Sequence, residues 1–461
     1  MKKDNFVTEI YKIGIYLVDI LLVMGSIYVS YVIEFKLPIP TFNYQPFLEI
    51  APFIILTYLI FMYIFGLSNN LKLSLAETVY SIFLTIIALT ITTAFIAFFA
   101  RGFSYPRGVM LLSPVLQFFT LVAWRSCVWK IRRNTHGIKD SLIIGNESAE
   151  YVAKKILLKQ GDLYKVKYIC SSNSKRLFEF IGKVDVVFIC SDVELEIKNK
   201  IVDNCISDRK SLYIIPDMYE IAMLNTKLNT ADDIPLLKVK KIGLTLEQKI
   251  GKRTLDIIFS LIGIVLASPI ILIASICIKL EDGGTVFYKQ ERVTENEKKF
   301  NVLKFRTMVM NAEKLTGPTL AGENDPRISK VGKIMRSTRI DEIPQIFNIL
   351  KGDMSLVGPR PERPFFVEKF KSEIPDYKYR TIVKAGLTGL AQVMGKYTTT
   401  AEDKVRYDLL YIKNYSIFLD LKLIFQTIKI IFIKESSAGV KEDMDLKNIL
   451  KQMSIDITID K

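Results

Sequence analysis

Asp341 and Glu342 stand side by side in Arg336-Ser337-Thr338-Arg339-Ile340-Asp341-Glu342-Ile343-Pro344-Gln345, just ahead of an apolar run. Adjacent carboxylates often mean no more than an acidic first turn of a helix. Here a proline follows two residues later, as at the first turn of a helix or a kink in a longer one. Either placement sets the pair beside free backbone N–H groups, where negative charge is stabilised and phosphate can bind. A carboxylate kept ionised there is a competent nucleophile toward phosphorus. Cationic motifs lie on both sides in the sequence. The run Phe300-Asn301-Val302-Leu303-Lys304-Phe305-Arg306-Thr307-Met308 alternates like a strand with one buried face, leaving Lys304 and Arg306 side by side on the other. That pair suits a diphosphate, and a solvated cationic face would read the same way. In Gly358-Pro359-Arg360-Pro361 two prolines lock the backbone around Arg360, so its guanidinium is pre-aimed for a two-pronged grip on phosphate.

Other chemistries have little to work with. His136, the only histidine, sits in a basic connector, which argues against serine-type triads, H-E-x-x-H metal sites and histidine acid–base catalysis. The five cysteines (Cys127, Cys170, Cys190, Cys205 and Cys277) form no C-x-x-C pair, so they read as reduced thiols rather than a disulfide framework or zinc site. Catalysis falls to carboxylates, lysine and arginine. Half of the 461 residues are apolar, yet Lys and Arg outnumber Asp and Glu by 63 to 48. The combination suits a membrane protein whose aqueous part meets anionic headgroups or phosphorylated substrates. Nucleic acid would account for the charge but not for the apolar runs.

Four of those runs precede everything else. Ile13–Ile33 is interrupted only by Asp19; the stretches 50–71 and 78–100 flank a polar hinge with Lys72 and Glu77; the fourth is Gly108–Trp124. Each approaches the ~20 residues a membrane helix needs. Lys2, Lys3 and Lys12 precede the first, and Arg125, Lys130, Arg132, Arg133 and Lys139 follow the fourth, which places both ends in the cytoplasm. No small-residue cleavage site follows the first run, so it reads as a retained helix. From Asp140 to Pro216 short apolar runs alternate with polar helix-like stretches, as in a small parallel sheet with helices on its faces. The first turn there, Gly145-Asn146-Glu147-Ser148-Ala149, lacks the further glycines of a dinucleotide site, and the second strand ends Cys170-Ser171-Ser172 without the acid that would hold the ribose. A fifth apolar segment, Leu255–Ile278, contains Ser268-Pro269, which makes it either a kinked span or a broken helix.

Read in order, Lys252-Arg253 with Asp256, Ser268-Pro269, the Lys304–Met308 run, Asp341-Glu342-Ile-Pro-Gln, the Gly352–Pro361 run and Gly386-Leu-Thr-Gly-Leu-Ala-Gln392 resemble the bacterial sugar transferase family. These are the large, monotopic-type polyprenyl-phosphate phosphoglycosyl transferases. The resemblance covers about 250–435. It departs at Gly284-Thr285, at Arg339 (where the family has a small residue), at Ala385-Gly386 and at Gly395-Lys396.

The resemblance implies a membrane protein of α plus α/β class. Its parts would be a four-helix transmembrane bundle over 1–133, a degenerate Rossmann-like module with linker over 134–245, and a mainly helical catalytic domain over 246–461. The latter would carry a re-entrant helix, 254–278, broken at Ser268-Pro269. It would sit on the cytoplasmic face of the bacterial inner membrane, because one crossing by 254–278 would carry Asp341 away from cytoplasmic nucleotide-sugars. Asp341 would attack the β-phosphate of a UDP-sugar and expel UMP, and undecaprenyl phosphate would then collect the sugar phosphate. Glu342 would assist in proton handling or, with Asp341, in holding Mg²⁺. Lys304 and Arg360 with Pro361 would hold phosphates, with Arg306 and Arg336 as further candidates. The sugar, the glycan pathway (capsule, exopolysaccharide or O-antigen) and any homo-oligomer stay open. A membrane-anchored nucleotide-sugar dehydratase or epimerase would need an intact glycine-rich turn. An inactive scaffold of glycan export would not need the dyad.

Overall fold

A computed structural model describes residues 2–69, 74–99, 105–161, 163–309, 325, 327–396, 398–431, 446, 448, 450 and 457–460; Lys72 of the expected hinge lies outside them. Two compact units emerge, Met1–Ile215 with Met444–Lys461, and Pro216–Asp443.

The first unit opens with helices α1 (Lys2–Phe35), α2 (Thr41–Ile64), α3 (Leu75–Phe99) and α4 (Arg107–His136). Tyr31, Ile54, Tyr58, Ile82, Leu89 and Leu121 meet in their shared core, while Leu21, Phe42, Ile91, Phe95, Leu111 and Phe119 face outward. Polar groups are turned inward instead. Ser30, Thr85 and Gln117 are buried, and the hydroxyls of Ser30 and Thr85 donate to carbonyls one turn back. Apolar outside and polar inside is the distribution expected where the solvent is lipid. A buried ion pair joins Asp19 of α1 to Arg125 of α4, and Arg125 Nη1 also donates to the Leu67 carbonyl at 3.1 Å.

The same unit carries a five-stranded parallel sheet in the order β11-β2-β1-β3-β4, from β1 (Lys139–Ile144), β2 (Tyr164–Cys170), β3 (Val186–Ile189), β4 (Ser211–Ile214) and β11 (Thr458–Asp460). Helices α5 (Ala149–Gln160), α6 (Leu177–Gly182) and α7 (Leu195–Ser207) connect the first four strands. Their apolar faces build one core on each side of the sheet. In the turn after β1 the N–H groups of Asn146 and Ser148 donate to Asp192 Oδ2 at 3.1 and 2.9 Å. A carboxylate of the chain itself thus sits where a Rossmann turn receives phosphate.

The division of the chain differs from the expected one at both boundaries. Residues 216–245 pack with the second unit, where Ile221 of α8 (Met218–Met223), Ile242 and Leu244 join its core. The C-terminal stretch returns to the sheet, with Leu446, Leu450 and Ile457 against α5 and β11 on the edge of β2. A three-residue strand has too few residues to show a period, so the sequence pattern could not place it.

The second unit is built along α9 (Leu246–Asp282), which starts in a Thr245/Gln248 capping box and stops at Gly283 with φ +68°. Before it β5 (Lys227–Ala231) and β6 (Ile234–Lys238) form an exposed hairpin; after it β7 (Phe287–Val293) and β8 (Lys299–Phe305) form a second. Then follow helices Lys330–Ser337 and Gln345–Lys351, β9 (Ser355–Val357), helix Pro364–Glu373, β10 (Gly386–Thr388), and helices Leu390–Met394, Ala401–Lys413 and Ile417–Ile431.

Helix α9 is continuous through Pro269. The missing proline N–H orphans the Val265 carbonyl, and Ser268 Oγ donates to that oxygen at 2.8 Å. Both halves of α9 pack on the second unit. Lys252 Nζ donates to Asp420 Oδ2 (2.6 Å) and to the Tyr411 hydroxyl (3.0 Å); Arg253 caps the Ile349 and Leu350 carbonyls; Asp256 Oδ1 accepts from Ser355 Oγ and Leu356 N. Toward the other end Ile271, Ala274 and Ile278 pack with Phe305, Met335, Ile340 and Ile343. The remaining surface of α9, from Ile258 to Ile276, is exposed and apolar, Val265 and Leu266 most of all. With α1–α4, α9 completes five helices among the described residues that are long and apolar enough to cross a membrane.

Candidate active site

Arg339, at φ +59°, turns the chain out of helix Lys330–Ser337 into the 3-10 turn Ile340–Glu342 that carries the dyad. Pro344 then leads into helix Gln345–Lys351, close to the expected placement. The N–H groups expected to greet an anion are partly used. Glu342 N and Ile343 N donate to the carbonyls of Arg339 and Ile340. Side-chain cations, not a helix N-terminus, supply the positive field here.

Glu342 receives it directly. Lys304 Nζ and Arg360 Nη2 both donate to its Oε1, at 2.9 and 2.8 Å, and Arg339 Nη1 lies 4.0 Å from Oε2. Burial opposes ionisation, but the charges of Arg360 and Lys304, the Lys304 hydrogen bond and Arg339 outweigh it and hold this carboxyl well below the usual glutamate range. Asp341 makes no hydrogen bond or ion pair with the described residues. Burial and the neighbouring Glu342 charge raise its carboxyl above the ordinary aspartate range, against the pull of Lys304, Arg336 and Arg339. The surroundings thus act on the two carboxyls in opposite directions. Glu342 is the firmly ionised member, and Asp341 is the more basic one.

Lys304 reaches the dyad from β8, whose neighbouring Val302 and Phe305 are buried. Arg306 goes to a different partner. Lying beyond the end of β8, it pairs with Asp282 at the end of α9, while its Nε and Nη1 stay buried without a partner. Arg336 Nε donates to Thr307 Oγ1 at 2.8 Å, and its charge reaches Asp341. Arg360 extends from the loop after β9. There β9 and β10 approach so closely that a Cβ on Gly358 would lie 2.4 Å from the Lys384 carbonyl, which the glycine avoids.

The backbone of the loop is held from behind by groups the motif reading missed. Arg380 Nη2 donates to the Arg360 carbonyl at 3.1 Å and Arg292 Nη1 to that of Pro361 at 3.0 Å. Arg380 is itself fixed by Asp408 Oδ2 (3.0 Å) and the Tyr377 hydroxyl (2.6 Å), all three buried. Burial lifts the Asp408 carboxyl to about 6 despite the Arg380 charge beside it. Each stands in a charge-rich stretch, Asp376-Tyr-Lys-Tyr-Arg380 and Glu402-Asp-Lys-Val-Arg-Tyr-Asp408, so no local pattern marked either for the core.

No cluster of three or more His, Cys, Asp or Glu side chains occurs among the described residues. Asp341 and Glu342 are the carboxylates at this site, Asp341 without a hydrogen bond among the described residues and Glu342 with Oε1 held by Lys304 and Arg360; Mg²⁺ commonly takes one or two carboxylates and fills its shell with water and substrate phosphate.

The span 247–434 matches the family model described as bacterial sugar transferase. The chain is 43% identical over 229 residues to the UDP-N-acetylgalactosamine-undecaprenyl-phosphate N-acetylgalactosaminephosphotransferase of Aeromonas hydrophila, covering 48% of this chain and 54% of that protein. It is 37% identical over 264 residues to the UDP-glucose:undecaprenyl-phosphate glucose-1-phosphate transferase of Klebsiella pneumoniae, 56% of each. It spans about half the length of both. A Bacillus subtilis protein named for undecaprenyl-phosphate N-acetylgalactosaminyl 1-phosphate transfer is 52% identical over 129 residues, which are 28% of this chain and 72% of that protein. Because it covers most of that shorter relative, and because every charged group around the dyad lies inside the matched span, this chain belongs to the bacterial sugar transferase family.

Proposed function

We propose that the chain moves a sugar 1-phosphate from a UDP-sugar to undecaprenyl phosphate, releasing UMP and starting a lipid-linked glycan. The observation that carries this reading is the division of labour in the dyad. Glu342 is locked between Lys304 and Arg360, while Asp341 is basic, unbonded and close to the same cations.

In the first step a carboxylate oxygen of Asp341 attacks the β-phosphorus. The bond to the bridging oxygen breaks, and UMP leaves with that oxygen and the electron pair. Lys304, Arg336 and Arg360 meet the charge on the phosphoryl oxygens as it shifts. The product is a sugar-phosphoryl aspartate. In the second step a phosphate oxygen of undecaprenyl phosphate attacks the same phosphorus, and Asp341 departs as a carboxylate. Glu342 keeps the cations in register throughout and, with Asp341, would hold Mg²⁺. When bound, the ion neutralises phosphate charge that would otherwise repel the nucleophile.

The lipid acceptor fixes where the site must be. In this reading α1–α4 span the inner membrane with both ends cytoplasmic, and α9 dips into the cytoplasmic leaflet and comes back. Contacts from both halves of α9 to one unit support this, since a crossing helix would leave its ends on opposite faces. The test is UMP release from a panel of UDP-glucose, UDP-galactose and their N-acetyl relatives, with undecaprenyl phosphate and Mg²⁺. One member should yield UMP. Release of UDP, or of nothing across the panel, would refute the reading.

A further inference from the structure

Arg339 stands at a position that its backbone makes costly. It follows the C-terminal residue Thr338 of helix Lys330–Ser337 with φ +59° and ψ 14°, the left-handed corner in which a helix end normally places glycine. Its N–H donates to the Arg336 carbonyl, and its own carbonyl accepts from Glu342 N, so this corner sets where the dyad turn begins. Glycine would make the same corner without strain. Strain kept beside a reacting group calls for a functional reason in the side chain.

Fold does not supply that reason. The Arg339 side chain is 41% exposed and makes no hydrogen bond with the described residues; its nearest charged neighbour is Glu342 Oε2 at 4.0 Å. Glu342 does not need it, because Lys304 and Arg360 already bond the other oxygen at 2.9 and 2.8 Å. Exposed ion pairs at such a distance contribute little to stability. Around the dyad, Lys304, Arg336, Arg339 and Arg360 face Asp341 and Glu342, with Asp325 also near Arg336 and Glu362 near Arg360. Three of these cations are partly committed, to Glu342 or to Thr307. Among the described residues Arg339 makes no hydrogen bond; its guanidinium meets only Glu342, at 4.0 Å, two residues from Asp341 in the chain.

We infer that Arg339 is a substrate-binding residue of this active site, a phosphate-gripping guanidinium at its mouth that adds to Lys304, Arg336 and Arg360. The inference rests on the proposed phosphoglycosyl transfer for the identity of the ligand. Two substrates bring phosphate, the diphosphate of the UDP-sugar and the single phosphate of the lipid acceptor, and the kinetic arms separate them.

The test compares full-length Arg339→Gly, Arg339→Gln and Arg339→Lys with the unsubstituted protein in detergent. UMP release is measured with each substrate varied in turn, at low and high salt, alongside thermal midpoints and calorimetric titration with UDP. R339G should hold or raise the midpoint, because it relaxes the corner. Its KM for one phosphate substrate should rise about tenfold, as loss of a charged hydrogen bond does, with kcat within about twofold. R339Q should show the same KM loss, R339K should recover most of it, and the gap should narrow at high salt. A rise for the UDP-sugar names the diphosphate; a rise for the acceptor names the lipid phosphate. If R339G leaves both KM values unchanged, or if KM and midpoint worsen together without recovery in R339K, the inference is overturned. UDP titration judges the nucleotide arm even if no UDP-sugar yields UMP, so failure of the parent reading is seen separately.

Discussion

Asp341 and Glu342 are neighbours in the chain, yet burial and charge act on them in opposite directions. Three consequences belong to this scale. Asp341→Asn removes the nucleophile and should lower UMP release by at least about a thousandfold, with an unchanged circular dichroism spectrum. Because its carboxyl is raised, the acid limb of kcat/KM should lie above the ~3.9 of an ordinary aspartate, since protonation silences the attacking form. A pH–rate profile checks this, and a limb at or below that value would contradict it. Behind the site, Asp408→Asn should loosen Arg380 and through it Arg360, lowering kcat/KM by about tenfold or more while the fold survives. Steady-state kinetics beside a thermal melt would show it. The dyad, Lys304 and Arg360 were legible because each lies in a short motif whose residue types already suggest phosphate. Arg306 lies just past β8 and its guanidinium pairs with Asp282 rather than with the dyad, a partner 24 residues back that its motif does not announce. Arg380 and Asp408 are 28 residues apart, and only the packed core brings them together.

At the scale of elements, α9 decides whether the chemistry has a substrate. Hydropathy and length alone allow it to cross. The proposed re-entrant course draws on packing: Lys252, Asp256 and Ser260 near one end and Ala274 and Ile278 near the other are all buried. A cysteine at the exposed Asn296, in a cysteine-free background, should resist a membrane-impermeant thiol reagent in intact cells and react once the inner membrane is opened. Labelling from outside would mean that α9 spans. Ser268-Pro269 was readable as a device but not as a shape. The helix stays intact, and the serine hydroxyl satisfies the carbonyl the proline leaves. The apolar lengths of α1–α4 were plain from their lack of charge. What inward polarity they keep, the Asp19–Arg125 pair included, joins residues 106 apart and could not be paired from sequence.

The whole molecule carries its family-matched part, 247–434, between β4 and β11 of the sheet. The sheet module fills its own phosphate turn with Asp192, and the dyad lies in the other unit, so the chemistry should not depend on it. A fragment spanning 216–443 should therefore still release UMP in detergent. One beginning at Leu246 should be less stable, because it discards the buried Ile221, worth roughly 2–5 kcal/mol as a core aliphatic side chain, and the partly buried Ile242 and Leu244 that pack against the same core. Thermal melts of the two fragments would rank them. The central claim is that Asp341 carries the sugar phosphate between donor and lipid. Its most direct measurement is intact-protein and peptide mass spectrometry after mixing the full chain with the UDP-sugar that yields UMP, in the absence of undecaprenyl phosphate. The account predicts an added sugar phosphate on the peptide containing Asp341, discharged when undecaprenyl phosphate is supplied and missing from Asp341→Asn. UMP release with no adduct, or an adduct that persists in Asp341→Asn, would contradict it.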